Sequence, residues 1–255
     1  MLGAADLQRL FSIAQGAVGT HELRARRDSL PDPVRRYLRY AISDGAPAIS
    51  TVRMKHGGTF RTKSDQRWFT IKGQQYFTAA QPGFVWNASI WPLPFLWIEA
   101  RDCLLGNHGN MLVKLASVFT IADASGPEID QGAALRWLAE CAWFPYAFAG
   151  SQVEWTPIDA RSARVSLRRD GLPVSAIVEF DDEGKLASLR AERYRDVGGG
   201  TAALTRWAGT YSDYRSVDGF RVPYFVDVRW ILDGQEFSYA RFRITTIEYG
   251  VPKQF

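Results

Sequence analysis

Arg136 and Glu140 stand one helical turn apart in the segment R-W-L-A-E-C-A-W-F-P (136–145), among Trp137, Trp143 and Phe144. An exposed helical pair helps most when the acid precedes the base, an order that also suits the helix dipole. Here the base comes first, so local helix support explains the pair poorly. In one reading, Glu140 sits in an aromatic pocket where desolvation raises its pKa and Arg136 restrains it, so that it serves as a general acid or base. In the other, the two groups form a structural ion pair that ties the helix to a sheet or to another chain. The second carries more weight, because structural networks perturb carboxylates as often as active sites do.

Asp102, at the end of W-I-E-A-R-D-C, is a candidate second carboxylate in a shared cavity, or a partner for an arginine or a turn. His108, in G-N-H-G-N, is a candidate acid/base at a loop tip, where solvated turn residues are the rule. Glu140, Asp102 and His108 are therefore the candidate proton-transfer groups. Arg136, Trp143, Phe144, Trp86, Trp68 and Tyr76 are the candidate ligand contacts. On later strands Arg190, Glu192 and Tyr194 share a face, as do Tyr239, Arg241 and Arg243. These are outer surface, or an arginine-rich site for a carboxylate or phosphate.

His21 and His56 have no acidic or histidine neighbours at ligand spacing, and Cys103 and Cys141 belong to no C-x-x-C unit, so no metal is expected. Nor is there a G-x-S-x-G, P-loop, dinucleotide fingerprint or H-E-x-x-H, and no cofactor is expected. The net charge of +4 is spread along 255 residues, densest at R-A-R-R (24–27), Arg35, Arg36 and Arg39. Nucleic-acid binders concentrate such charge on one element, so nucleic acid is not an expected partner. The isolated cysteines read as buried thiols in a reducing compartment. The start lacks a basic leader, and no stretch approaches the roughly 18 apolar residues of a membrane span. The expected location is the cytoplasm.

The elements that must position these groups follow from hydrophobic spacing. Leu2, Leu7, Leu10, Phe11 and Ala14 outline a first helix within an N-terminal segment, 1–29. Asp32 and Pro33 open a second, with Val34, Tyr37, Leu38 and Ile42 on its apolar side. From about 50 to 122 short β-prone runs follow one another, with H-G-G (56–58) read as a hairpin turn between T-V-R-M-K and T-F-R-T-K. A helix over Asp130 to about Phe144, ended by Pro145, interrupts them. Beyond it the alternation is cleaner: Ala163, Val165 and Leu167 share one face, Arg164, Ser166 and Arg168 the other. Sequential hairpins with few crossovers predict an α+β fold. Residues 30–255 are read as one domain, a strongly curved antiparallel sheet or open β-barrel with N-terminal helices and the central helix on its concave side.

The blocks L-P-D-P-V-R-R-Y-L-R (30–39), Q-P-G-F-V-W-N-A (81–88), R-D-C-L-L-G-N-H-G-N-M (101–111), R-W-L-A-E-C-A-W-F-P (136–145) and D-G-F-R-V-P (218–223) resemble a bacterial family catalogued only as a domain of unknown function. The resemblance implies no activity. Tyr146 and Phe148 stand where it implies smaller or aliphatic side chains. The closing D-G-x-R-x-P pattern is also similar, at the level of fold, to half-open barrels that carry lipid or lipoprotein acyl chains.

Nine tryptophans, ten tyrosines and fifteen phenylalanines exceed what a plain core needs. The run W-N-A-S-I-W-P-L-P-F-L-W-I contains a loop, since proline breaks a strand or confines it to an edge. That loop is buried, or it is a lid, a homo-oligomer contact through the 86–98 region, or a membrane-touching rim. The expected function is binding of a hydrophobic small molecule in an aromatic-lined cavity. The alternative is a cofactor-independent isomerase, cyclase, hydratase or hydrolase using Glu140.

Overall fold

The computed structural model describes residues 3–14, 16, 18, 19, 21, 25, 26, 29–198 and 200–255. Leu2, Arg24 and Arg27, named above, lie outside them. The α-helices with both ends within the described residues are α1 (Ala4–Ile13), α2 (Asp32–Ala41) and α3 (Pro127–Glu140). Pro33 occupies the first turn of α2, where a missing N–H costs nothing. Val34, Tyr37, Leu38 and Ala41 bury its apolar side. The central helix differs from expectation at its end. It stops at Glu140, and the chain tightens into two 3-10 turns, Cys141–Trp143 and Pro145–Ala149. Pro145 opens the second turn rather than ending the helix, a position its fixed φ suits. Tyr146 and Phe148 are buried there against Phe220 and against Tyr37 and Trp155.

The strands are β1 (Thr51–Phe60), β2 (Phe69–Thr78), β3 (Gly83–Leu93), β4 (Leu96–Leu105), β5 (His108–Leu115), β6 (Phe119–Ser125), β7 (Val153–Pro157), β8 (Ser162–Leu167), β9 (Ser175–Phe180), β10 (Leu186–Gly198), β11 (Thr201–Val217), β12 (Phe220–Leu232) and β13 (Gln235–Tyr249). All thirteen form one open antiparallel sheet in the order β6-β5-β4-β3-β2-β1-β13-β12-β11-β10-β9-β8-β7. Two meanders are joined edge to edge where β1 meets β13.

H-G-G is not a turn. Residues 51–60 run as one strand paired on both sides, with a register shift at Lys55/His56 against β13. Gly58 has φ 151, and a Cβ there would overlap the Arg241 carbonyl. The glycine lets β13 approach closely beside that irregularity. The local sequence signal was genuine, but long-range pairing overrode it.

The sheet is curled. α3 touches β3 to β6 and also β10, yet β5 and β10 are eight places apart in the strand order. In a flat sheet they would lie about 38 Å apart, far beyond the roughly 10 Å width of a helix. The sheet must therefore wrap around α3, which is buried on nearly every side, as a helix inside a half-barrel must be. The strongly curved antiparallel sheet expected from the sequence is what the chain adopts. α1 sits elsewhere: Leu7 and Leu10 pack with Tyr76, Val85, Cys103 and Leu105, while the adjacent Phe77, Phe84 and Leu104 belong to the main core. Successive strand residues point to opposite faces, so α1 lies on the outer face.

The helices occupy one end of the half-barrel. Trp137 Nε1 donates to the Thr78 carbonyl, Trp143 Nε1 to that of Pro223, and the Tyr249 hydroxyl to that of Trp143. The acceptors or donors on the sheet all lie near the strand ends where β2 finishes and β12 begins. At the other end, where the β1–β2, β3–β4 and β5–β6 hairpins turn, the inner face carries Phe60, Phe69, Ile98, Val113, Trp230 and Phe242, all half-buried.

Candidate functional site

Strand register builds the floor of the site. Gln75 on β2 pairs with Trp86 on β3, and Trp86 with Asp102 on β4. These three side chains form one cross-strand row on the inner face, and α3 lays Arg136 and Glu140 against it. Arg136 donates from Nε to Glu140 Oε1 at 3.0 Å, from Nη1 to Asp102 Oδ2 at 2.8 Å and from Nη2 to Gln75 Oε1 at 3.2 Å. Gln75 Nε2 donates to Glu140 Oε2 at 2.6 Å. The guanidinium centre is 5.0 Å from the Phe84 ring and 4.7 Å from that of Trp86. Both Glu140 oxygens, both ends of the Gln75 amide and one Asp102 oxygen are engaged, so the group is a network that ties helix to sheet.

One cation faces two carboxylates, with side chains 13 % (Arg136), 3 % (Asp102) and 13 % (Glu140) exposed. Burial raises the Glu140 pKa, while Arg136 and Gln75 pull it down and Asp102 pushes it up. For Arg136 burial acts to lower the pKa, but Glu140 and Asp102 more than offset it and the value rises. The guanidinium therefore stays charged.

Beside this row lies His56, which the reading of H-G-G as a turn had hidden. It follows Val52 and Met54 on the inner face at strand spacing, the one sequence signal that points to it. Its Nε2 accepts the Trp86 Nε1–H at 2.8 Å, and the two ring planes are within 2° of parallel with centroids 6.1 Å apart. Burial, helped by the Arg136 charge, lowers its pKa to about 3, so the imidazole is neutral at physiological pH. Its Nδ1 makes no hydrogen bond of ordinary geometry among the described residues, though the Gly57 backbone is near enough to offset part of the pKa drop. Gln75 was equally absent from the sequence candidates, since neutral amides in strands carry no spacing signal.

Gly73 makes room for this pair, because a Cβ there would overlap the imidazole and lie 3.1 Å from Trp86 Nε1. Gly73→Ala is expected to cost about 1–3 kcal/mol through overpacking. It should also change the near-ultraviolet circular dichroism as the Trp86–His56 bond breaks, and an unchanged spectrum and urea midpoint would refute this.

The structure thus unites Arg136, Glu140, Asp102 and Trp86, and separates the rest. Trp143 and Phe144 are buried, Phe144 with ring centroids 4.9 Å from Phe77 and 5.8 Å from Trp137, so they are packed core. Tyr76 is on the outer face, its hydroxyl donating to Gln74 Oε1 and accepting from the Phe255 amide. Trp68 lies between the Arg61 and Arg241 guanidinium groups in the β1–β2 loop. His108 is exposed, with Nδ1 3.7 Å from Asp130 Oδ2. Tyr76, Trp68 and His108 therefore share no site with Glu140: the first is on the wrong face, and the other two are at the margins of the sheet. Arg190, Arg241 and Arg243 pair with Glu179, Asp227 and Asp213 and hold no converging site. A hollow of about 680 Å³ is lined by Lys55, Lys72, Gln74, Asn87, Ser89 and Glu99 among others, not by Arg136 or Glu140.

The sequence profile of a family of unknown function (DUF6544) matches residues 22–242. The chain matches none of the curated proteins. Among solved structures, a LolA superfamily protein from Nitrosomonas europaea superposes with a TM-score of 0.45 at 9% identity, covering 85% of this chain and 91% of that one. A DUF1329 family protein from Desulfovibrio piger superposes with a TM-score of 0.42 at 11% identity, covering 91% and 95%.

Proposed function

This chain belongs to the DUF6544 family of unknown function, and from that premise we propose that it binds an apolar small molecule in the helix-free part of its half-barrel. The observation that carries the reading is the row of half-buried apolar side chains on the inner face, Phe60, Phe69, Ile98, Val113, Trp230 and Phe242. Among the described residues, no helix covers them as α3 covers the opposite end. Binding sites for small molecules are concave and mostly apolar, with a few placed polar groups. Here those groups are His56, whose Nδ1 makes no hydrogen bond of ordinary geometry among the described residues, and the Tyr239 hydroxyl, which accepts from Trp207 Nε1 at 3.0 Å.

In this reading the Arg136 network is the tie that holds α3 in the curled sheet. Proton transfer by Glu140 is disfavoured, because both its oxygens already accept hydrogen bonds within the network. The fluorescent probe N-phenyl-1-naphthylamine should brighten on binding the wild-type protein. Ile98→Glu, which places a charge among the apolar residues of the inner face, should weaken that binding about tenfold, a loss of about 1.4 kcal/mol. Equal probe affinity in both proteins, or no binding to either, would refute the reading.

A further inference from the structure

Nine large hydrophobic side chains are exposed among the described residues, and eight of them lie at one end of the sheet. Leu93, Phe95 and Trp97 stand on the β3–β4 hairpin, Val118, Phe119 and Ile121 on the β5–β6 hairpin, and Val197 and Leu204 beside the β10–β11 turn. In an antiparallel meander alternate hairpins turn at the same end, and the pairings Phe60↔Phe69, Leu93↔Leu96, Leu115↔Phe119 and Gly198↔Thr201 place all these turns together. This is the end that the helices leave open. Phe95 is 94% exposed, and Val118 and Phe119 are 70% and 69% exposed. The aromatic loop noted in the sequence is therefore neither buried nor folded down as a lid.

We infer that this rim docks on the surface of an anionic lipid bilayer. The shape of the rim suits a bilayer. The apolar groups project from turn tips at separate points, whereas a stable protein partner needs a continuous matched face of about 800 Å² per side. Two of the tips act as one ridge, since Trp97 Nε1 donates to Ser117 Oγ at 3.2 Å and the Ala116 amide to the Trp97 carbonyl at 3.0 Å. The charge of the rim suits an anionic bilayer. Residues 61–68, 91–98 and 114–121 hold the cations Arg61, Lys63, Arg67 and Lys114 against one carboxylate, Asp65. The β10–β11 and β12–β13 turns at the same end add Arg195 against Asp196, Asp233 and Glu236, so the positive charge is concentrated on the three hairpin tips of the first meander. Cations beside apolar and tryptophan side chains suit the boundary between headgroups and acyl chains. The rim also holds a seat for a headgroup: a hollow of about 450 Å³ between the β1–β2 and β3–β4 tips, lined by Arg67, Trp68, Lys72, Trp91 and Leu93 among others. Arg67 itself reaches the Pro92 carbonyl and so joins the two tips.

Docked in this way, the mouth of the half-barrel faces lipid, and the membrane becomes the source of the apolar ligand. That last step rests on the reading given above, whereas the docking does not. The test is flotation of the full chain with vesicles of phosphatidylglycerol and phosphatidylcholine, and with phosphatidylcholine alone. The wild-type protein should float with the anionic vesicles, and several-fold less in high salt or with the neutral ones. The triple variant Leu93→Ser, Phe95→Ser and Phe119→Ser should lose about tenfold or more in vesicle binding while keeping the wild-type melting temperature. Ile98→Glu, designed to impair the inner-face site, should still float, so the two proposals fail separately. No flotation of the wild-type protein, or unchanged flotation of the triple variant, would overturn the inference. So would a wild-type dimer that the triple variant converts to monomer without any vesicle binding, which would assign the rim to self-association.

Discussion

Arg136→Met is expected to cost about 3–5 kcal/mol of unfolding free energy at neutral pH, the usual consequence of stranding buried charge. Asp102 and Glu140 would both lose their cation, and Gln75 can neutralise neither. The sign of the pH dependence follows. Without Arg136, the strongest pull that holds the buried Glu140 pKa down is lost, so its folded-state value rises further above the unfolded value of about 4.3. A raised folded pKa contributes stability that is fully present below the unfolded value and is lost as pH rises through the folded one. The variant's deficit should therefore shrink as pH falls from 7 toward 5. Glu140→Gln behaves differently. It leaves one cation with one carboxylate, and an amide in that place retains the Arg136 Nε bond while setting a donor against Gln75 Nε2. The expected cost is about 1 kcal/mol, one net hydrogen bond. Urea unfolding of both variants at pH 7 and pH 5 checks the pair. If Glu140→Gln destabilised the protein as much as Arg136→Met, the account of the network as a cation-centred tie would be wrong.

Phe144→Ala carries the second large effect, a loss of about 3–5 kcal/mol from the cavity left by a fully buried ring. Its neighbours Phe77 and Trp137 belong to the strand and helix that meet at the closed end, and neither can collapse into the space without moving the helix. The sequence suggested Phe144 as a wall of a ligand cavity. A wall would lose probe affinity with modest loss of stability, whereas a core residue loses stability first. Thermal unfolding alongside probe titration separates the two, and the expected result is a melting temperature lower by several degrees with the probe affinity of the remaining folded protein intact.

Much of the fold was legible because its signals are local. The alternation of Ala163, Val165 and Leu167 with Arg164 and Arg168 depends only on the two-residue period of a strand, and β8 buries the first set. The second helix was legible from Pro33 and the spacing of Val34, Tyr37 and Leu38. The turn at H-G-G failed for the opposite reason. Two glycines within a β-prone run look alike whether they make a hairpin or admit a neighbouring strand, and only the pairing of β1 with β13 separates these cases.

The candidate site divides in the same way. The four-residue spacing of Arg136 and Glu140 and its reversed polarity were visible in the chain, and they pointed to a partner beyond the helix. That the partners are Asp102 and Gln75, 34 and 61 residues from Arg136, depends on the register that aligns Gln75, Trp86 and Asp102 on one face. A shift of one residue in any of those strands would turn its side chain to the other side. The same parity sends Tyr76 outward beside Gln75 facing in. By itself the sequence determined the period of each element and the oddity of the charge pair. The tertiary structure alone decided which faces meet, because register and sheet curvature arise from pairings between residues far apart in the chain.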